Sequence, residues 1–226
     1  MSPAPDTWVF DLDDTLYPPA VGLTDQMNHR IREYLSRELG VDEAGARRAQ
    51  AQLRAEHGTT LLGLMRTRGV EPEDFFRFEE CVDYSALQPD PGLRDALLAL
   101  PGRRLVLTNG STTHAARVLA ALELADEFDG VFDLQAAGLV PKPHRATYEL
   151  FLRTYDADPR RCLFFDDLPV NLEEPRALGM GTALMTGGTG EAFEVLAREP
   201  LQLRVRDLVG TLTALSQPSA VEPERL

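Results

Sequence analysis

Apolar positions along the chain fall into two regimes. Short unbroken runs occur at Trp8-Val9-Phe10, Leu105-Val106-Leu107, Cys162-Leu163-Phe164-Phe165 and Thr182-Ala183-Leu184-Met185, with a weaker one at Val131-Phe132-Asp133-Leu134. Runs this short, bounded by turn residues, read as strands, and a continuous rather than alternating pattern predicts burial on both faces, as in a parallel sheet. Helical periods separate them. Asp90-Pro91 starts a helix carrying Leu93, Leu97, Leu98 and Leu100, and Ser111 opens another that runs through Leu122. Pro141-Lys142-Pro143 is a rigid turn before a helix with Tyr148, Leu150, Phe151 and Leu152, and a short helix spans 170–178. Leu201–Val205 predicts an edge strand, 207–215 a last helix, and Ser216–Leu226 a polar tail. Strands that alternate with helices predict an α/β fold with a doubly wound parallel sheet.

The stretch from about 18 to 86 differs. Thr24 is a candidate N-cap for a helix with Met27, Ile31 and Leu35, ended by Gly40. Asp42 caps a second helix that runs to His57-Gly58. Leu61, Leu62, Leu64 and Met65 predict a third, ending at Gly69, and Pro72 opens a fourth with Phe75, Phe76, Phe78 and Val82. No strand pattern interrupts this block, so it reads as a helical bundle inserted after the first strand. Such an insertion is expected to sit over the sheet end that follows Phe10, as a cap. The expected division is a core from 1–17 and 88–215, a cap over 18–87, and a tail over 216–226.

Composition narrows the partners. The 226 residues are 43% hydrophobic and 26% charged, ordinary for a globular protein, with a net charge of −13. That charge disfavours a general nucleic-acid polymer or anionic-membrane binder, which needs a basic face. The two cysteines, Cys81 and Cys162, lack metal-ligand spacing. The N-terminus lacks a signal-peptide pattern and no run reaches the length of a membrane span, so a cytoplasmic setting is expected. A monomer or homodimer is equally compatible.

Candidate chemistry lies at the strand ends. The first strand runs into Asp11-Leu12-Asp13-Asp14-Thr15. On an extended strand Asp11 and Asp13 face one side, and two carboxylates aimed at one point repel unless a cation or shared proton intervenes. The second strand ends in Thr108-Asn109-Gly110, Lys142 lies in a later loop, and the fourth strand ends in Asp166-Asp167. Each alone has a plainer reading as a turn, a solvated lysine or a helix cap. All four at ligand-binding strand ends fit phosphoryl transfer. Asp11 is then the nucleophile that forms an aspartyl-phosphate. Asp13 protonates the leaving oxygen and later takes a proton from water. Asp166, Asp167, Asp11 and the Asp13 backbone carbonyl hold Mg²⁺. Thr108, neighbouring N–H groups of Asn109 and Gly110, the helix beginning at Ser111, and Lys142 bind phosphate oxygens.

In these four segments, and in their order along the chain, the sequence resembles the haloacid-dehalogenase-like (HAD) hydrolase superfamily over about residues 7–186. The resemblance implies a Rossmannoid core, a helical cap inserted after the first motif, and a Mg²⁺-dependent phosphatase acting on a small phosphorylated substrate. Asp11–Pro18, His57–Leu61, Asp83-Tyr84 and Leu87–Asp90 resemble the pyrimidine 5′-nucleotidase branch, which implies pyrimidine nucleoside monophosphates as substrates. Sugar phosphates, phosphoglycolate, a phosphomutase reaction, a haloacid dehalogenase and a non-enzymatic phospho-receiver are the alternatives. Motif alignment favours Asp167 as the direct metal contact, with Asp166 ordering the site or taking a water-mediated contact. His57 reads either as a contact to substrate base or sugar or as a helix C-terminal cation. His29, His114 and His144 read as structural.

Overall fold

A computed structural model of the chain describes residues 4–217. They form two compact units: Pro19–Ala86, and the residues that flank it on both sides. The chain begins with β1, Thr7–Phe10. The helical unit contains α1 (Leu23–Leu39), α2 (Glu43–His57), α3 (Thr60–Arg68) and α4 (Pro72–Phe76). Short 3-10 turns at Pro19–Val21 and Arg77–Cys81 flank these helices. The flanking unit continues with α5 (Pro91–Leu98), β2 (Arg103–Leu107), α6 (Thr112–Ala121), β3 (Gly130–Phe132) and α7 (Arg145–Thr154). It ends with β4 (Cys162–Asp166), α8 (Glu173–Ala177), β5 (Gly181–Met185), β6 (Phe193–Arg198), β7 (Leu201–Val205) and α9 (Leu208–Leu215).

The seven strands form one sheet in the order β3-β2-β1-β4-β5-β7-β6. Every neighbouring pair is parallel except β6 and β7. β1 is central, with Val9 opposite Leu105 on one side and Phe164 on the other. Its four residues are all buried, which is why the run reads as continuously apolar. Val9 joins Leu105, Leu107, Phe132, Tyr148, Phe151 and Phe164 in one core cluster, and Phe10 stacks on Phe165 with ring centroids 5.0 Å apart. Each such side chain withdrawn from water contributes roughly 1.5–3 kcal/mol. The sheet is built outward from β1 in two directions, through β2 and then through β4, so its switch point lies beside β1. In sheets of this kind the crevice beyond the carboxyl ends at that point is where ligands bind.

The helical unit is fixed by its helix ends. The Asp42 carboxylate accepts the Gly45 N–H at 2.7 Å and the Thr59 hydroxyl accepts the Leu62 N–H at 3.1 Å, each satisfying an orphan donor of a first turn. Gly40 and Gly69 close α1 and α3 at φ 65° and 66°, a left-handed conformation that glycine adopts without Cβ strain. Leu35, Ala46, Leu61, Leu64 and Phe75 are buried. The Gln26 amide donates to the Asp83 carbonyl at 3.1 Å and accepts the Asp83 N–H in return, tying the first helix of the unit to its last residues.

Three expectations need correction, and one strand was not expected. α1 is capped by Gly22 at φ 76° with no side-chain bond, and Thr24 lies in its first turn. β3 stops at Phe132 because the Asp133 carboxylate accepts the Ala136 N–H at 2.8 Å and turns the chain. β7 is not an edge strand; β6 folds back antiparallel outside it. β6 escaped notice because Glu-Val-Leu-Ala-Arg-Glu has the residue types of a helix. Its half-buried alternation, with a register shift between Val195 and Ala197, is that of an edge. Beyond Gln217 the expected polar tail lies outside the described residues. Among those residues no helix is long and apolar enough to cross a membrane.

Candidate active site

The ladder of β1 extends one residue past the strand, since the Asp11 N–H still donates to the Phe165 carbonyl at 2.8 Å. The chain then turns. The Leu16 N–H reaches the Leu12 carbonyl at 3.0 Å, and Asp14 takes φ 57°, a region Asp tolerates better than most residues. Asp11 and Asp13 are therefore not alternate residues of an extended strand, as the spacing predicted. A turn presents them, and they take different partners. Asp11 Oδ1 accepts the Leu12 N–H at 2.8 Å and lies 2.8 Å from Lys142 Nζ. Asp13 Oδ1 accepts the Tyr17 hydroxyl at 2.5 Å and stands 2.8 Å from His114 Nε2.

β2 delivers Thr108, Asn109 and Gly110. The buried Thr108 hydroxyl accepts the Gly110 N–H at 2.9 Å, which leaves its own proton available to a ligand. The Asn109 side chain pairs in both directions with the Lys142 backbone, at 2.8 and 3.1 Å. It holds the lysine loop, so what Asn109 offers a ligand is its backbone N–H. Gly110 was expected to bind substrate, but its N–H is engaged by Thr108 and its carbonyl by the Leu134 N–H. The structure gives it a steric role instead: a Cβ there would lie 2.9 Å from His114 Cδ2. Ser111 caps α6 by accepting the His114 N–H at 3.0 Å, so the helix starts at the site with its positive end.

Lys142 is buried between two acids. Its Nζ lies 2.8 Å from Asp11 Oδ1 and 2.7 Å from Asp166 Oδ2, and 5.3 Å from the centre of the Phe164 ring. Burial opposes its charge, but Asp11 and Asp166 more than compensate and hold the ammonium above its ordinary value. Asp166 closes β4 fully buried. Its oxygens accept the Leu168 N–H at 2.9 Å and the Asn171 amide at 2.9 and 3.1 Å. Asn171 is held in turn, its carbonyl accepting the Tyr148 hydroxyl at 2.7 Å.

Acidic pressure at this point exceeds what one ammonium relieves. Burial, helped by the charge of Asp166, pushes the Asp11 carboxyl well above its usual range despite Lys142. Burial, Asp166 and Asp14 push Asp167 up to about 6. Asp13 moves the other way. Burial would raise it, but the charge and hydrogen bond of His114, the Tyr17 hydroxyl and Lys142 prevail and hold it low. One carboxylate oxygen each from Asp11, Asp166 and Asp167 lie within 4.8 Å of one another. A set of converging hard oxygens, two from buried residues and under-compensated by cationic groups, fits a hard divalent ion such as Mg²⁺. The Asp13 carboxylate is not one of the three, which leaves its backbone carbonyl as the atom it can offer.

The structure thus brings Asp11, Asp13, Thr108, Asn109, Lys142, Asp166 and Asp167 to the strand ends of one sheet unit. His57 belongs to the helical unit, where it ends α2 against Gly63, its Nε2 3.8 Å from the Glu56 carboxylate. That is the last residue of the helix, at its C-terminal end. Two residues on Asp13, Tyr17 and His114, and one on Asp166, Asn171, were not foreseen. His114 in particular reads as a structural histidine from its helical surroundings. The available signals were Tyr17 four residues beyond Asp13, and His114 in the first turn of the helix that Ser111 caps.

Known proteins can be set beside this geometry. The family pattern of the haloacid dehalogenase-like hydrolases matches residues 5–179. Phosphate metabolism protein 8 of Saccharomyces cerevisiae is 27% identical over 197 residues, covering 79% of this chain and 61% of that protein. A (S)-2-haloacid dehalogenase of Xanthobacter autotrophicus is 29% identical over 134 residues, covering 59% and 51%. The chain therefore spans between half and two-thirds of the length of these relatives. Among solved structures, CbbY from Rhodobacter sphaeroides in complex with xylulose-(1,5)bisphosphate shares the fold with a TM-score of 0.59 at 20% identity, over 81% of this chain and 87% of that one. A match that spans most of the chain and includes every strand end described above makes this protein a member of the haloacid dehalogenase-like hydrolase family.

Proposed function

We propose that this hydrolase is a Mg²⁺-dependent phosphatase that cleaves small phosphate monoesters through an aspartyl-phosphate on Asp11. One observation carries the reading: a buried carboxylate, Asp11, shares an ammonium with Asp166, and one oxygen each of Asp11, Asp166 and Asp167 lies at cation-binding distance of the others. Phosphate monoester hydrolysis is among the slowest uncatalysed reactions, and a carboxylate nucleophile divides its barrier into two steps. Asp11 forms the bond to phosphorus. Lys142 neutralises the non-bridging oxygens, together with the Thr108 hydroxyl, the Asn109 N–H and the start of α6. Asp13 gives the leaving oxygen its proton and later accepts one from the attacking water. Mg²⁺, held by Asp11, Asp167, the Asp13 carbonyl and Asp166 directly or through water, supplies neutralisation of the phosphate charge when bound.

Within this class the substrate we favour is a pyrimidine nucleoside 5′-monophosphate. The support is the likeness of Asp11–Pro18, His57–Leu61, Asp83-Tyr84 and Leu87–Asp90 to that branch. Sugar phosphates are the nearest alternative, given the ligand of CbbY. A dehalogenase reaction is the second reading, raised by the Xanthobacter relative. It has no leaving alkoxide to protonate, so it gives no use to a proton-transferring carboxyl at Asp13. The deciding experiment is release of inorganic phosphate from UMP, CMP, dUMP, AMP and small sugar phosphates, with chloropropionate assayed for chloride in parallel. Chloride release without phosphate release refutes the proposal, as does wild-type phosphate release by the Asp11→Asn variant.

A further inference from the structure

We infer that His114 and Tyr17 are positioning residues that assign different work to the two oxygens of Asp13; the inference rests on the phosphatase reading. Both donors meet on the same atom. Tyr17 Oη lies 2.5 Å and His114 Nε2 2.8 Å from Oδ1. His114 is fully buried and Tyr17 nearly so. Both partners come from stiff surroundings. Tyr17 follows the Leu12–Leu16 turn, and the His114 backbone N–H is fixed by the Ser111 cap. Gly110 leaves the space the imidazole occupies.

The physical need is rotational. The terminal torsion of an aspartate is broad and roughly two-fold, so an untethered carboxyl presents either oxygen over a range of angles. Proton transfer requires the acting oxygen within hydrogen-bond reach of the leaving group. Two donors on Oδ1 lock the plane and reserve Oδ2 for the proton. The bonds then balance as follows. In the first step the Asp11 oxygen–phosphorus bond forms, the bond from phosphorus to the ester oxygen breaks, and the Oδ2 proton passes to that oxygen. In the second, a water oxygen bonds phosphorus, the Asp11 bond breaks, and the water proton returns to Oδ2. Throughout, Oδ1 accepts from Tyr17 and from the protonated Nε2 of His114.

The test compares leaving groups. An alkoxide needs a proton as it departs; p-nitrophenolate scarcely does. kcat/KM is measured with Mg²⁺ on glycerol phosphate and on p-nitrophenyl phosphate for wild type, His114→Leu, His114→Gln and Tyr17→Phe, with thermal unfolding of each. The expected result is a loss of about 10–100-fold on the alkyl ester for His114→Leu, with a loss on the aryl ester at least several-fold smaller. His114→Gln, which keeps an N–H donor, recovers most of the difference, and Tyr17→Phe shows the same asymmetry more weakly. Equal losses on both esters, or no loss on either, overturn the inference. If His114→Leu does not fold, Tyr17→Phe and His114→Gln decide by the same ratio. A wild-type protein that releases phosphate neither from these esters nor from the nucleotides and sugar phosphates above overturns the phosphatase reading itself.

Discussion

Replacing Lys142 by methionine isolates the electrostatics of the site. Methionine fills much of the volume of the lysine stem, so the main loss is the ammonium between Asp11 and Asp166. Removing one partner of a buried ion pair typically costs about 3–5 kcal/mol, because the remaining charge stays uncompensated. Here two carboxylates are left, and the loss is set against a total stability of roughly 5–15 kcal/mol for a typical domain. The penalty depends on pH in a defined direction. The folded Asp11 carboxyl already sits above its ordinary 3.8. Between that value and its folded value the native state holds a proton the unfolded chain has released, so stability falls as pH rises through the window. Lys142 pulls the folded value down; its loss widens the window upward. Urea unfolding of Lys142→Met should therefore show a deficit of ~3–5 kcal/mol near pH 7.5 and a clearly smaller one near pH 4.5, and Mg²⁺ should restore part of it at the higher pH. A deficit that is absent, or the same at both pH values, would refute the assignment of Lys142 as the counter-ion of Asp11.

Three further outcomes follow from the same geometry. Gly110→Ala places a Cβ 2.9 Å from His114 Cδ2, and the overpacking should cost about 1–3 kcal/mol in urea unfolding together with a fall in phosphatase activity. EDTA should abolish phosphate release and lower the Tm, and added Mg²⁺ should reverse both, because a cation relieves repulsion among Asp11, Asp166 and Asp167. Thiol titration with a disulfide reagent at pH 8 should count one fast cysteine in the native protein and two in denaturant. Cys81 is exposed, whereas burial pushes the Cys162 thiol up to about 12 and leaves it without thiolate.

The strands at the centre of the sheet were readable because burial on both faces erases alternation: Trp8-Val9-Phe10 and Cys162–Phe165 admit few other readings. Helix ends were readable where chemistry is local, as at Asp42, Gly40 and Gly69. β6 was not, since an edge strand is decided by its partner and not by its own residue types. In the site, the residues visible in the chain are those whose charge or position at a strand end demands a partner: Asp11, Asp13, Lys142, Asp166 and Asp167. His114 stayed hidden because a single histidine in a helical stretch carries no sign of the aspartate a hundred residues earlier that it meets. Gly110 was assigned to the ligand because turn composition does not say which backbone groups the fold itself consumes.

The paired bonds between Gln26 and Asp83 bear on how the molecule assembles. β1 cannot pair with β2 until the whole intervening helical segment has been accommodated, and a flexible connector of that length would make the pairing entropically expensive. With its two ends fastened together, the segment behaves toward the sheet as a short bridge. The saving in closure entropy is ~1 kcal/mol for a roughly 2.5-fold shorter effective loop. A bundle of local contacts that forms early thus makes a distant parallel pairing affordable in time, and variation in the middle of the insert need not disturb the sheet from which it departs.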